Sequence, residues 1–162
     1  MADGISRAYV AGLKMLARRE RSEAQLRTRL ARKEFEPEEI DSAIARLRGE
    51  KALDDRRTAL ACARDAVTLK RQGRARVLRT VESLGVDRAV ARAAVAEVFA
   101  ELDEHALLEE ALDRRLRRGQ SLADAADVRR VHRYLLGQGF DPGRVLSAIR
   151  GRTKATRFIN DD

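Results

Sequence analysis

Residues 22–47 read Ser-Glu-Ala-Gln-Leu-Arg-Thr-Arg-Leu-Ala-Arg-Lys-Glu-Phe-Glu-Pro-Glu-Glu-Ile-Asp-Ser-Ala-Ile-Ala-Arg-Leu, and the spacing of their apolar positions decides the fold. Leu26 and Leu30 lie four apart, one above the other on a helix face. Ile40, Ile44 and Leu47 follow at spacings of four and three, a second helical stripe. Phe35 falls between the stripes, where an apolar side chain can pin two short helices together. Ser22 with Gln25 makes a capping-box pattern at the start of the first helix. Glu36 and then Pro37 follow Phe35, and proline suits the first position of the second helix.

The same pattern recurs 51 residues on, where Leu26, Leu30, Phe35, Ile40, Ile44 and Leu47 fall on Val77, Val81, Val86, Ala91, Val95 and Val98. A third copy lies 105 residues from the first, with Val131, Leu135, Phe140, Val145 and Ile149 matching the first five positions and Arg152 at the sixth. Acidic Asp87 and Asp141 follow the anchors Val86 and Phe140, in the place of Glu36, and aspartate is a good N-cap. Gly85 and Gly139 precede those anchors and provide left-handed helix stops; Glu34 holds that place in the first copy, where the link should be strained or differently turned. Gly73 is read as the glycine that separates helices in the second copy.

Each copy also has a helix in front. Tyr9, Leu13 and Leu16 mark one from Ala8 to Arg19, and Leu60, Val67 and Leu69 one from Asp54 to about Arg71. Leu107, Leu108, Ala111 and Leu112 mark a third from Asp103 to Arg118, with Asp54 and Asp103 as N-caps. The expected fold is therefore all-α: three tandem three-helix repeats, about nine helices, stacked into an elongated, curved body. Residues 1–53, 54–102 and 103–152 are the expected repeats, and 153–162 a frayed C-terminal tail. The core is expected from Leu26, Leu30, Phe35, Ile40, Ile44, Val77, Val81, Val86, Val95, Val131, Leu135, Phe140, Val145 and Ile149.

Composition agrees with helices and adds a charge. The 162 residues hold two prolines and ten glycines, 37% charged residues and only 4% aromatic ones. Such a chain can bury a core without a metal or disulfide staple. Its net charge of +8 points to a polyanionic partner. Residues 1–55 carry +1 of it, 56–104 carry +3 and 105–162 carry +4. Two basic runs stand out: Lys70, Arg71, Arg74, Arg76 and Arg79 with no acid between Ala66 and Val81, and Arg114, Arg115, Arg117 and Arg118 around Leu116. One cysteine, Cys62, excludes an intramolecular disulfide. No stretch has the apolar length of a membrane span, and the first residues carry no apolar signal region, so a soluble, cytoplasmic chain is expected.

Catalytic chemistry finds no support. His105 and His132 stand 27 apart and Cys62 is far from both, which is no metal-ligand spacing. Asp54-Asp55 reads as helix capping, Cys62 as a small core residue, and no phosphate-binding glycine loop or nucleophile elbow occurs. No catalytic residue, metal or cofactor is expected. The aromatic residues are too scattered for base stacking, so any DNA contact should run through phosphate. A sequence-reading helix pair ranks low, because Glu36, Glu38, Glu39 and Asp41 at the start of the third helix would repel phosphate.

At this point the residues resemble a known family, the bacterial regulatory protein RecX. The resemblance rests on residues 16–26, a basic-acidic helix end leading into the capping Ser22, and on Leu30 to Lys33 followed by Phe35, Pro37, Ile40, Ala43 and Leu47. It also rests on Leu53-Asp54-Asp55 opening a helix, and on the basic stretch from Gly73 to Gly85. Thr58 stands where the family usually has phenylalanine and Glu34 where it usually has glycine, changes expected to weaken packing between the first two copies. The resemblance implies a non-catalytic regulator, a monomer that binds the RecA recombinase or its DNA filament and mostly inhibits filament extension, ATPase and strand exchange. Lys70, Arg71, Arg74, Arg76 and Arg79, then Arg114, Arg115, Arg117 and Arg118, are the expected contacts with RecA or with DNA phosphates. The alternative is a general basic nucleic-acid-binding helical repeat without a RecA-specific role.

Overall fold

The computed structural model describes the backbone of residues 2–119 and 121–160 and the side chains of residues 7–119 and 121–153. Among the described residues there are nine helices and no strand: α1 (Ala2–Arg18), α2 (Glu23–Ala31), α3 (Pro37–Gly49), α4 (Asp55–Thr68), α5 (Arg74–Glu82), α6 (Arg88–Ala100), α7 (Glu104–Arg117), α8 (Ala125–Gly137) and α9 (Pro142–Asn160). None of them is long and apolar enough to cross a membrane. Helix α9 runs on to Asn160, through most of the segment expected to be a tail. The chain divides into two compact units, one of residues up to Cys62 with Thr80–Val95, the other of Ala63–Arg79 with the chain from Ala96 onward.

The helix ends are set by local chemistry. The Ser22 hydroxyl accepts the Gln25 N–H (3.1 Å) while the Gln25 side chain accepts the Ser22 N–H (3.2 Å), a closed capping box. Asp54, Asp87, Asp103 and Asp141 each accept a backbone N–H from the first turn of α4, α6, α7 and α9. Asp55 instead reaches across to accept the Glu23 N–H at the start of α2 (2.7 Å). Both members of the Asp54-Asp55 pair are thus spent on helix starts.

In the first unit the core is Leu26, Leu30, Ile40, Ile44, Leu47 and Leu53, with Tyr9, Met15, Leu16 and Phe35 packed against it. Helix α1 lies chiefly against α3, and it approaches closely because Gly12 leaves room for the Leu47 side chain. In the second unit Leu108, Leu112, Val131, Leu135, Val145 and Ile149 form the core. Val77, Val81, Val86 and Val95 are buried as well. Phe35 and Phe140 are only half-buried and pack against the edges of the two cores. Two leucines placed on apolar stripes turn outward: Leu13 is 40% exposed and Leu69 65% exposed, because α4 ends at Thr68 and Leu69 lies beyond it. Arg152, at the frayed sixth position, bridges α9 to Glu109 (2.6 Å) and Asp113 (2.7 Å) on α7 where the first copy uses Leu47.

Glu34, Gly85 and Gly139 all have positive φ, at 63°, 76° and 89°, so the three copies make the same left-handed turn after their second helix. The glycines are needed for a further reason, a seat that occurs once in each unit. In the first unit the Ser22 hydroxyl donates to the Leu84 carbonyl, and a Cβ on Gly85 would lie 2.7 Å from the Cβ of Ala24. In the second unit Gly73, the counterpart of Ser22, donates its N–H to the Gln138 carbonyl (2.8 Å), and a Cβ on Gly139 would run into Arg76. Gly73 is therefore not the helix stop: Arg71 (φ 53°) makes that turn, and Gly73 is glycine because its own Cβ would sit 2.6 Å from the Gly139 carbonyl. Glu34 is exposed and needs only the turn, not the seat.

Thr58 does not leave the junction loose. It is 4% exposed, and its hydroxyl lies 3.2 Å from the Arg21 carbonyl and 3.0 Å from that of Asp54. A hydrogen bond there stands in for aromatic packing.

Three stability outcomes are expected. Gly139→Ala should cost about 2–3 kcal/mol through forced φ and collision, whereas Glu34→Gly should gain about 1 kcal/mol by relieving a left-handed glutamate. Urea unfolding of both variants measures the contrast. The N–H groups of Ala106 and His105 hold the Asp103 carboxyl below the usual carboxylate range. Its folded pKa is depressed, so its capping contribution is full above that range and fades as pH falls through it. Asp103→Asn should accordingly flatten the acid limb of a midpoint-against-pH curve.

Candidate docking surfaces

The sequence places nine cations in two separate runs, and the second unit brings parts of both to one cleft. Helix α4 ends in the segment Leu69–Gly73, where Arg71 turns left-handed and the Gln72 N–H returns to the Ala66 carbonyl (3.1 Å). The last turn of α7 lies beside it, and the Arg114 guanidinium donates to the Leu69 carbonyl (2.9 Å). An arginine on a helix-terminal carbonyl satisfies an orphan acceptor and complements the negative end of the dipole. Lys70, Arg71, Arg114 and Arg118 line the resulting cleft of about 240 Å³ together with Leu69, Gln72, Ala111 and Tyr134. Gln72 is 6% exposed, and its Oε1 has no hydrogen-bond partner among the described residues.

The other basic residues divide by what they touch. Arg71 pairs with Glu110 (2.6 Å), so much of its charge is answered within the protein. Arg74 pairs with Glu104 (2.6 Å) and lies 4.8 Å from the centre of the Phe99 ring. Arg76 donates to the Gly137 carbonyl (3.0 Å) at the glycine seat, and Arg115 lies over the Tyr134 ring at 4.5 Å. These side chains fasten helices to each other. Lys70, Arg79, Arg117 and Arg118 are exposed.

A second surface escaped the reading of the sequence. On the first unit a groove of about 460 Å³ runs along α1 to the turn after α2, lined by Arg7, Val10, Ala11, Lys14, Met15, Arg18, Lys33 and Phe35. Its floor is apolar and its rim carries four cations, and among the described residues no carboxylate lines it. The signal was present in α1, since positions 7, 10, 11, 14, 15 and 18 share one helix face. It was lost by averaging: residues 1–55 net only +1 because Glu36, Glu38, Glu39 and Asp41 offset these cations from elsewhere in the unit.

Asp54 and Asp55 are capping groups, His105 is exposed, and Cys62 is half-buried. Among the described residues no group of His, Cys, Asp and Glu could hold a metal ion.

Fold and surfaces together define a class, that of all-α repeat proteins with basic surface grooves. Residues 8–47 match the family model described as RecX, first three-helix domain. The regulatory protein RecX of Syntrophotalea carbinolica is 31% identical over 82% of this chain and 88% of its own length. That of Thermotoga petrophila is 35% identical over 86% of this chain and 82% of its own. The crystal structure of RecX from Lactobacillus salivarius superposes with a TM-score of 0.79 over 93% of this chain and 97% of that one, at 18% identity, which is a likeness of fold. The chain belongs to the regulatory protein RecX family.

If Arg114 holds the end of α4, Arg114→Ala should free the Leu69–Gly73 segment by about 1 kcal/mol, roughly a fivefold rise in amide exchange there. Arg117→Ala, by the same measurement, should change nothing.

Proposed function

We propose that this chain regulates the RecA recombinase by docking on RecA or its DNA filament, mostly restraining filament extension, ATPase and strand exchange, as a cytoplasmic monomer with no chemistry of its own. Family membership is the observation that carries this reading. The cleft between the ends of α4 and α7 supports it, because two runs separated in sequence share one basic surface. Lys70 and Arg118 at the cleft, with exposed Arg79 and Arg117, are the side chains assigned to acidic RecA surfaces or DNA phosphates. Arg71, Arg74, Arg76, Arg114 and Arg115 already have partners within the protein, so their effect on binding is through the shape of the surface.

The test is RecA ATPase on single-stranded DNA with substoichiometric protein. Inhibition well below the amount needed to coat the DNA is expected. The exposed triple reversal Lys70→Glu, Arg117→Glu and Arg118→Glu should abolish most of it and flatten its salt dependence while leaving helicity unchanged. Inhibition only at coating concentrations would instead support a general nucleic-acid binder, and a pull-down with RecA lacking DNA separates protein contacts from phosphate contacts.

A further inference from the structure

We infer that the groove on α1 is a docking site for an acidic amphipathic helix of a partner protein. The inference stands on the first unit alone and does not depend on the reading of the α4–α7 cleft.

Helix α1 carries two apolar faces. One is consumed by α3, with Gly12 admitting Leu47. The other holds Val10, 42% exposed, and Met15, which borders the core; Phe35 faces the same groove from the turn after α2. Lys14 and Arg18 rise on the same face of α1, and Lys33 closes the groove from the turn. The volume, about 460 Å³, is the largest of the concavities described. The equivalent turns at Gly85 and Gly139 are each covered by the start of another helix, whereas this one is open.

The chemistry of the lining selects the occupant. Four cations, with no carboxylate among the described lining residues, call for an acidic partner. An apolar floor calls for side chains that gain by leaving water, and a phosphodiester backbone has none to offer. Apolar anchors spaced three and four residues apart with carboxylates on their flanks satisfy both demands, and that is an amphipathic helix laid into a groove. Arg18 and Lys33 then meet carboxylates at the rim, and Val10, Met15 and Phe35 meet the anchors.

The probe is a fluorescein-labelled acidic helical peptide about four turns long, with leucines on one face and glutamates on the rest. Fluorescence anisotropy with the full chain should give saturable binding, at least about tenfold tighter than a scrambled peptide of the same composition. Lys14→Glu with Lys33→Glu, both exposed sites, should weaken it about tenfold or more at unchanged circular dichroism, and Val10→Gln several-fold. The triple reversal at Lys70, Arg117 and Arg118 should leave it intact, which separates this site from the RecA reading. Equal binding of the scrambled peptide, or indifference to the Lys14 and Lys33 reversals, would overturn the proposal. So would displacement of the peptide by a single-stranded oligonucleotide at equal charge, or a dimer of the free chain that Val10→Gln dissolves.

Discussion

A hydrogen bond onto a backbone carbonyl and a missing side chain join the copies of this protein. The carbonyl just before each turn glycine accepts from the residue that opens the second helix of the copy before it: Leu84 from the Ser22 hydroxyl, Gln138 from the Gly73 N–H. Either bond sets the turn close against that helix start, which is why Gly85 and Gly139 are glycines twice over, once for φ and once for room. Each compact unit contains one such seat. Surface arginines then work outward from the seat, as Arg76 does when it caps the Gly137 carbonyl.

The all-α class and most of the buried stripes were legible in the sequence because spacings of three and four leave few alternatives. The capping residues were legible too, since Ser22, Asp54 and Asp103 bond to groups within three residues of themselves. What failed was whatever depended on a distant partner. Gly73 reads as a helix stop until Gly139 is placed against it, and Leu69 reads as core until α4 is seen to end one residue earlier. Nor can a run of arginines reveal that Glu104 and Glu110 on another helix have already claimed Arg74 and Arg71.

The candidate surfaces follow the same division. Charge summed over long segments pointed to the second and third copies, and the cleft between α4 and α7 does gather cations from both. The sum concealed the groove on α1, because cations on one helix face and acids on the start of α3 cancel in a total while remaining apart on the surface. Local asymmetry, rather than net charge, is what a docking partner meets.

Glu34 separates the two demands that the glycines meet together. Its φ of 63° shows that the left-handed turn can be made by a residue with a side chain. Room is the stricter demand, and it arises only where another helix start is pressed against the turn, as Ala24 is on Gly85 and Arg76 on Gly139. The first turn is thus the one of the three where the chain is free to vary: a residue that tolerates positive φ fits there, whereas at the other two even a methyl group collides.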